Sequence, residues 1–369
     1  MKILVINNAA TSKRGDDFCV YKNTGEFGAE LKKLDYNVEY FQFYNEAHSN
    51  IHSYSLNANG IKVSIARMWK IKLFSYFVAY LKAMKRVLSQ DFIYIYYPNT
   101  FFILAFFCKL IGKKYGLYLR GEVGVDSKMS RLLYKYATVV FTVSDTFTER
   151  LNHEFSQNKA YTIRPMISYT AKDIVSTRTY QNPTEFRILY LGRIDKDKGL
   201  FELINAVNTL RKNGVNNFCL DVVGDGHYLE ELKSLVLELG ISDAVIFHGA
   251  VYGENNIRDK FLQADLYILP TYHEGFPRTL YEAMIFGTPI ITTFVGGMSG
   301  LMKDRYNCRE ITVRSTSSIV TVVTSVLKDY EAAAQLANNG TKTVMELFNK
   351  RKLSHAEHLN EIIQKTVNV

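Results

Sequence analysis

Two acids eight residues apart, Glu274 and Glu282, stand in the stretch Leu266-Tyr-Ile-Leu-Pro-Thr-Tyr-His-Glu-Gly-Phe-Pro-Arg-Thr-Leu-Tyr-Glu-Ala-Met-Ile-Phe-Gly-Thr-Pro-Ile-Ile-Thr-Thr. Paired carboxylates are the equipment of glycoside hydrolysis. Taken singly they have blander uses. Glu282 lies four residues after Arg278, the spacing of an exposed helix pair, and Glu274 could bond its own turn and favour a helix N-terminus. Upstream, Tyr190-Leu-Gly-Arg-Ile-Asp-Lys-Asp-Lys-Gly-Leu adds two cations. Arg193 offers a planar fork for phosphate oxygens and Lys198 a point charge. Acids to hold hydroxyls beside cations to hold phosphate point to a phosphorylated ligand, and away from simple glycoside hydrolysis.

The surrounding pattern says how these groups are aimed. Leu266–Leu269 reads as a buried strand stopped by Pro270, and His273-Glu274-Gly275 as a polar turn. Pro277 suits the first turn of a helix, where a missing N–H costs nothing. That helix should run through Leu280, Ala283 and Met284 to Gly287, with a strand at Ile290–Thr293 beyond. Glu274 then sits at the carboxyl end of a strand and Glu282 inside the next helix. Ligands of open α/β sheets bind at that edge. Gly192 and Gly199 permit close backbone approach, and a helix opening near Gly199 can aim N–H groups at an anion.

Further strand signals are Ile3–Ile6, Val38–Phe43, Phe92–Tyr96, Tyr115–Tyr118, Val139–Val143, Arg187–Leu191, Phe218–Val223 and Ala244–Phe247. Helical spacing marks Ser64–Leu88, Leu200–Asn213, Tyr228–Leu239 and a last segment near Ser354–Thr366. The apolar pattern lapses over Thr170–Thr184, which predicts a linker. The expected organisation is residues 1–170 and 185–350 as two α/β domains, with 351–369 a helix that could cross back to the first.

The stretch 266–297, and more loosely 187–345, resembles the retaining glycosyltransferases of family 4. These have the GT-B architecture, two Rossmann-like domains facing each other across a cleft. The resemblance rests on Glu274-Gly275-Phe276-Pro277, Glu282-Ala-Met, Pro289-Ile-Ile and Gly192-Arg193 followed by Lys198-Gly199. It implies transfer of a sugar from a nucleotide-diphosphate donor with retained anomeric configuration. Glu274 would then contact the transferred sugar and Glu282 the ribose, while Arg193 and Lys198 stabilise the departing diphosphate. Gly275, Phe276, Pro277, Gly296, Gly297 and His248 would line the donor, and Gly15 and Arg120 would serve from the first domain. His248 and His273 have structural alternatives as packing and turn residues. The resemblance implies no cofactor and no metal, and Asp195-Lys-Asp197 sits on too basic a loop to read as a metal-binding pair. Val223-Gly-Asp-Gly226 lacks the full dinucleotide fingerprint. Two features depart from the family: Gly15 stands alone where a glycine pair is usual, and Arg120 stands where a His is common. Arg120 and Glu122 either line the site or pair with each other.

The 369 residues suffice for two cores, and 47% apolar content is that of a globular chain. Cys19, Cys108, Cys219 and Cys308 have no metal or disulfide spacing, which suggests a reducing compartment. The first apolar run is too short for a secretory signal, and Phe101–Cys108 is far below the roughly 18–20 residues of a membrane span. The net charge of +9 is uneven: residues 1–165 hold 23 Lys+Arg against 13 Asp+Glu. Between Ile51 and Gly121 only Asp91 opposes eleven cations. With Met68, Trp69, Phe74, Tyr76 and Phe77 nearby, the belt 62–114 suggests a cytoplasmic protein docked peripherally on the inner face of the cell membrane. Its acceptor would be a saccharide or lipid-linked saccharide of surface polysaccharide, lipopolysaccharide or capsule synthesis. The alternative is aromatic core with solvated lysines. Two rival functions remain: a basic nucleic-acid-binding protein, although no recognition motif accompanies the charge, and a catalytically inactive GT-B partner.

Overall fold

Apolar runs such as Phe92–Tyr97 and Phe218–Val223 are buried at every position. A strand can be apolar on both faces only in a parallel sheet covered by helices on each side. The computed structural model, which describes residues 1–7, 11–45, 52–120, 125, 127–156, 158–164, 166–274 and 277–367, contains two such sheets. Contacts divide the chain into one unit of Met1–Ser168 with Arg351–Val369 and a second of Tyr169–Lys350.

The strands of the first unit are β1 (Lys2–Ile6), β2 (Thr11–Arg14), β3 (Asp17–Val20), β4 (Asn37–Asn45), β5 (Tyr54–Ser55), β6 (Lys62–Arg67), β7 (Phe92–Tyr97), β8 (Lys114–Leu119), β9 (Val139–Thr142) and β10 (Ala160–Thr162). Its helices are α1 (Lys22–Lys33), α2 (Lys72–Leu88), α3 (Ile103–Leu110), α4 (Lys128–Tyr136) and α5 (Asp145–Phe155). The parallel strands run β10-β9-β8-β7-β1-β4-β6. In order of appearance that is 3-2-1-4-5-6 with one strand added, the doubly wound order. One face of the sheet packs Ala79, Ala83, Val87, Leu104 and Leu133 of α2, α3 and α4. The other packs tyrosines 40, 94, 96 and 118 under α1 and the chain's last helix.

The second unit holds β11 (Phe186–Leu191), β12 (Phe218–Val223), β13 (Val245–Gly249), β14 (Leu266–Leu269), β15 (Ile290–Thr292) and β16 (Arg309–Glu310). Its helices are α6 (Leu200–Lys212), α7 (Leu229–Glu238), α8 (Glu254–Gln263), α9 (Arg278–Ile285), α10 (Thr316–Lys328) and α11 (Tyr330–Lys350). All six strands are parallel, in the order β13-β12-β11-β14-β15-β16, again 3-2-1-4-5-6. The order reverses between β11 and β14.

The last helix, α12 (His355–Val367), belongs to the first unit. Tyr36 donates to Asn360 Oδ1 at 2.6 Å, and the Tyr94 hydroxyl meets His355 Nε2 at 2.5 Å. Burial among the rings of Phe27, Tyr94, Tyr118 and Phe141 pushes the His355 imidazole down to about 3, so it stays neutral.

Three elements differ from the sequence expectation. Residues 64–67 are strand, because β6 completes its hydrogen bonds on the free side of β4, and the helix begins only at Lys72. Gly15, which stands where the family usually has a glycine pair, lies at the exposed tip of a hairpin, β2–β3, in the left-handed region. The expected linker is a strap on the second unit. Arg178 donates to the carbonyls of Phe261, Leu262 and Ala264 at the end of α8, and to Phe286 and Gly287 at the end of α9. Helix C-termini leave such carbonyls without partners, and a guanidinium supplies five donors to them. The polar composition that suggested a linker is therefore that of a cap. Arg178→Ala is expected to lower the unfolding free energy of the second unit by about 3 kcal/mol. The exposed Lys172→Ala should stay within about 0.5 kcal/mol of the parent in the same urea titration.

Candidate active site

The loops that follow β11 and β14 leave the carboxyl ends of neighbouring strands at the reversal point of the second sheet. They are stitched together. Tyr272 N–H and the Thr271 hydroxyl both donate to the Asp197 carbonyl, at 2.8 and 3.2 Å. Gly199 is required twice over: its φ is +69°, and a Cβ there would lie 2.0 Å from the Pro270 carbonyl oxygen. The loop after β12 joins from the other side, and a Cβ on Gly226 would lie 2.3 Å from the Ile194 carbonyl oxygen.

This lacing brings together Lys198 and Glu274, 76 residues apart in sequence. The Lys198 ammonium lies 2.5 Å from Glu274 Oε1, 3.3 Å from Asp197 Oδ2 and 3.3 Å from the His273 carbonyl. Lys198 is only 5% exposed. A buried ammonium needs such partners, because its desolvation would otherwise cost several kcal/mol. α6 begins immediately after this lysine and α9 soon after Glu274, so two helix N-termini open at the same edge. The arrangement can bind an anion at Lys198 and the helix ends while Glu274 accepts hydrogen bonds beside it.

The remaining expected residues fall as follows. Arg193 is on the same loop but mostly exposed, its guanidinium paired with Asp195 and its carbonyl accepting from Tyr190 at 2.6 Å. Pro277 is the N-cap of α9 in extended backbone, one residue earlier than the first-turn position expected. Glu282 is on α9, half-buried; burial pushes its carboxyl up to about 7, and the Arg278 guanidinium offsets this in part. Gly296, exposed at φ +60°, and the buried Gly297 open a short 3₁₀ turn beyond β15. Gly275 and Phe276 lie outside the described residues, as does Glu122. Gly15 and Arg120 lie in the first unit, Arg120 exposed directly after β8. Among the described residues no three His, Cys, Asp or Glu side chains gather as a metal would need.

His248 is held by two neighbours. Lys260 meets its Nδ1 at 3.2 Å, so Nε2 carries the proton donated to Asp221 at 2.6 Å. Asp221 is buried and also takes a fork from Arg187, at 2.9 and 2.7 Å. Both ring nitrogens are thus committed to holding β12 and β13 in place. Sequence reasoning passed over Asp221, although an acid inside the apolar run Phe218–Val223 is itself a signal that a partner must exist.

Comparison with known proteins agrees with this geometry. Residues 174–343 match the family described as Glycosyl transferases group 1. A glycosyltransferase of Methanocaldococcus jannaschii is 30% identical over 50% of this chain and 44% of its own length. The lipopolysaccharide core biosynthesis glycosyltransferase LpsE of Rhizobium meliloti is 25% identical over 46% of this chain and 47% of its own. The chain thus spans less than half the length of these curated relatives. The crystal structure of HepE from Anabaena in complex with UDP shares the fold over all of both chains, with a TM-score of 0.72 and 17% identity. The fold is that of the GT-B glycosyltransferases, built from two Rossmann-like units. The match to the group 1 glycosyl transferases covers most of the second unit.

The raised Glu282 carboxyl makes stability depend on pH. The folded protein holds a proton there between about 4.5 and about 7 that the unfolded chain has released, so the contribution is present below 4.5 and lost as pH rises to about 7. Glu282→Gln removes the charge. Relative to the parent, its stability is expected to rise across that window by on the order of 2 kcal/mol, measured by urea unfolding at each pH.

Proposed function

We infer that the protein is a retaining glycosyltransferase that moves a sugar from a nucleotide-diphosphate donor to a saccharide or lipid-linked saccharide. A single observation carries this reading: Lys198 and Glu274 joined at the strand-order reversal of a unit that matches the group 1 glycosyl transferases. A donor diphosphate at the N-terminus of α6 would meet a fixed, desolvated ammonium that needs no reorganisation as charge builds on the leaving oxygen. Glu274, released in part from Lys198, would accept hydroxyls of the transferred sugar. Glu282 would take the ribose, and Arg193 would exchange Asp195 for a phosphate oxygen. The loop at Gly296 and Gly297 would add main-chain N–H groups. That HepE was crystallised with UDP-glucose supports a uridine diphosphate donor class. The likeness to LpsE supports a role in surface polysaccharide. No step here calls for a metal or cofactor, and the donor chemistry suits a cytoplasmic protein.

The test begins with a panel of nucleoside-diphosphate sugars. One donor should stabilise the fold by about 2.7 kcal/mol at a hundred times its Kd, and EDTA should leave that unchanged. Lys198→Met and Glu274→Gln keep volume while removing charge. Each is expected to remain folded without donor, with a melting temperature lowered by the charge left unpaired, and to lose at least about a hundredfold in transfer. Full transfer by either well-folded variant would refute the assignment.

A further inference from the structure

Helix α2 is built inside out. Its sheet-facing stripe is small: Ser75, Ala79, Ala83 and Val87, at i, i+4, i+8 and i+12, are all buried. Its opposite face carries Phe74, Phe77, Leu81 and Leu88, at i, i+3, i+7 and i+14, with exposures of 54%, 61%, 53% and 58%. Just before the helix, Trp69 and Ile71 are 44% and 69% exposed, and Trp69 lies against Phe74 with ring centroids 5.3 Å apart. Soluble helices place large apolar groups on the core and polar ones outside. Here the sheet side holds only Ser, Ala and Val, and the rings face out. α3 packs beside α2, and its Ile103 and Leu110 are 45% and 82% exposed. A contiguous patch of this kind marks an interaction surface.

Charge decides what covers it. Lys70, Lys72, Lys82 and Lys85 are exposed around the patch, and no acid occurs between Ile51 and Asp91. The carboxylate of Asp91 accepts from the main-chain N–H of Lys2. Among the described residues, no carboxylate forms an ion pair with any of these four lysines. A second copy of this face would bring the same four cations against its own, so self-association is opposed. We propose that α2 with its flanking segment is a docking face for an anionic lipid surface. The aromatic and aliphatic side chains enter the interface between headgroups and acyl chains, and the lysines meet lipid phosphates. Among the described residues no helix is long and apolar enough to cross a membrane, so the contact is peripheral. The inference is independent of the transfer reaction, since docking requires no donor.

Trp69 is the only tryptophan in the chain and sits on this face, so it reports the contact directly. With vesicles containing phosphatidylglycerol, its emission is expected to shift to the blue and the protein to float with the lipid. With phosphatidylcholine alone, binding should be at least about tenfold weaker. Phe74→Ser/Phe77→Ser and Lys82→Glu/Lys85→Glu alter exposed groups only. Each double variant is expected to keep the parent's melting temperature and to bind at least about tenfold less. Two results would overturn the proposal: unchanged Trp69 emission with no flotation, or flotation that survives both double variants. A concentration-dependent dimer abolished by Phe74→Ser/Phe77→Ser, without lipid binding, would overturn it in favour of a self-interface.

Discussion

The ion pair between Lys198 and Glu274 depends on where the second sheet reverses its strand order. At that point the helices after β11 and β14 pass to opposite faces, which leaves an opening that side chains from both loops can enter. Neither residue can be lost alone without leaving a desolvated charge. The glycines around them serve the same geometry. Gly199 and Gly226 allow three loops to pass at backbone distance, and a side chain at either would collide with the Pro270 or Ile194 carbonyl.

Around that centre the second unit uses charge to close its own backbone. Arg178 gathers the carbonyl ends of two helices, while Arg187, Asp221, His248 and Lys260 form one chain across β12 and β13. These are the buried polar groups that a parallel sheet must satisfy internally. The first unit solves a different problem. Small residues bring α2 close to the sheet, and its bulky residues are left facing outward with a ring of lysines.

Much of the framework was legible in sequence because parallel strands buried on both faces read as unbroken apolar runs. Phe218–Val223 and Leu266–Leu269 have the bounds read from composition alone. The misreadings share one cause. Residues 64–67 follow helical spacing yet pair with β4, and 170–184 look like linker yet cap helices. In each case the deciding partner is distant in sequence, and local pattern carries no record of it.

The sequence by itself determined the alternation of strand and helix, the places where chains turn at glycine, and the identity of the acids and cations available for chemistry. Only the tertiary structure decided which of them meet. It put Lys198 against Glu274 and tied both nitrogens of His248 to neighbours. It also left Arg193 largely in solvent and turned the rings of α2 outward. The physical reason is that side-chain spacing along one element is fixed by its own period, whereas contact between elements depends on strand order and loop closure.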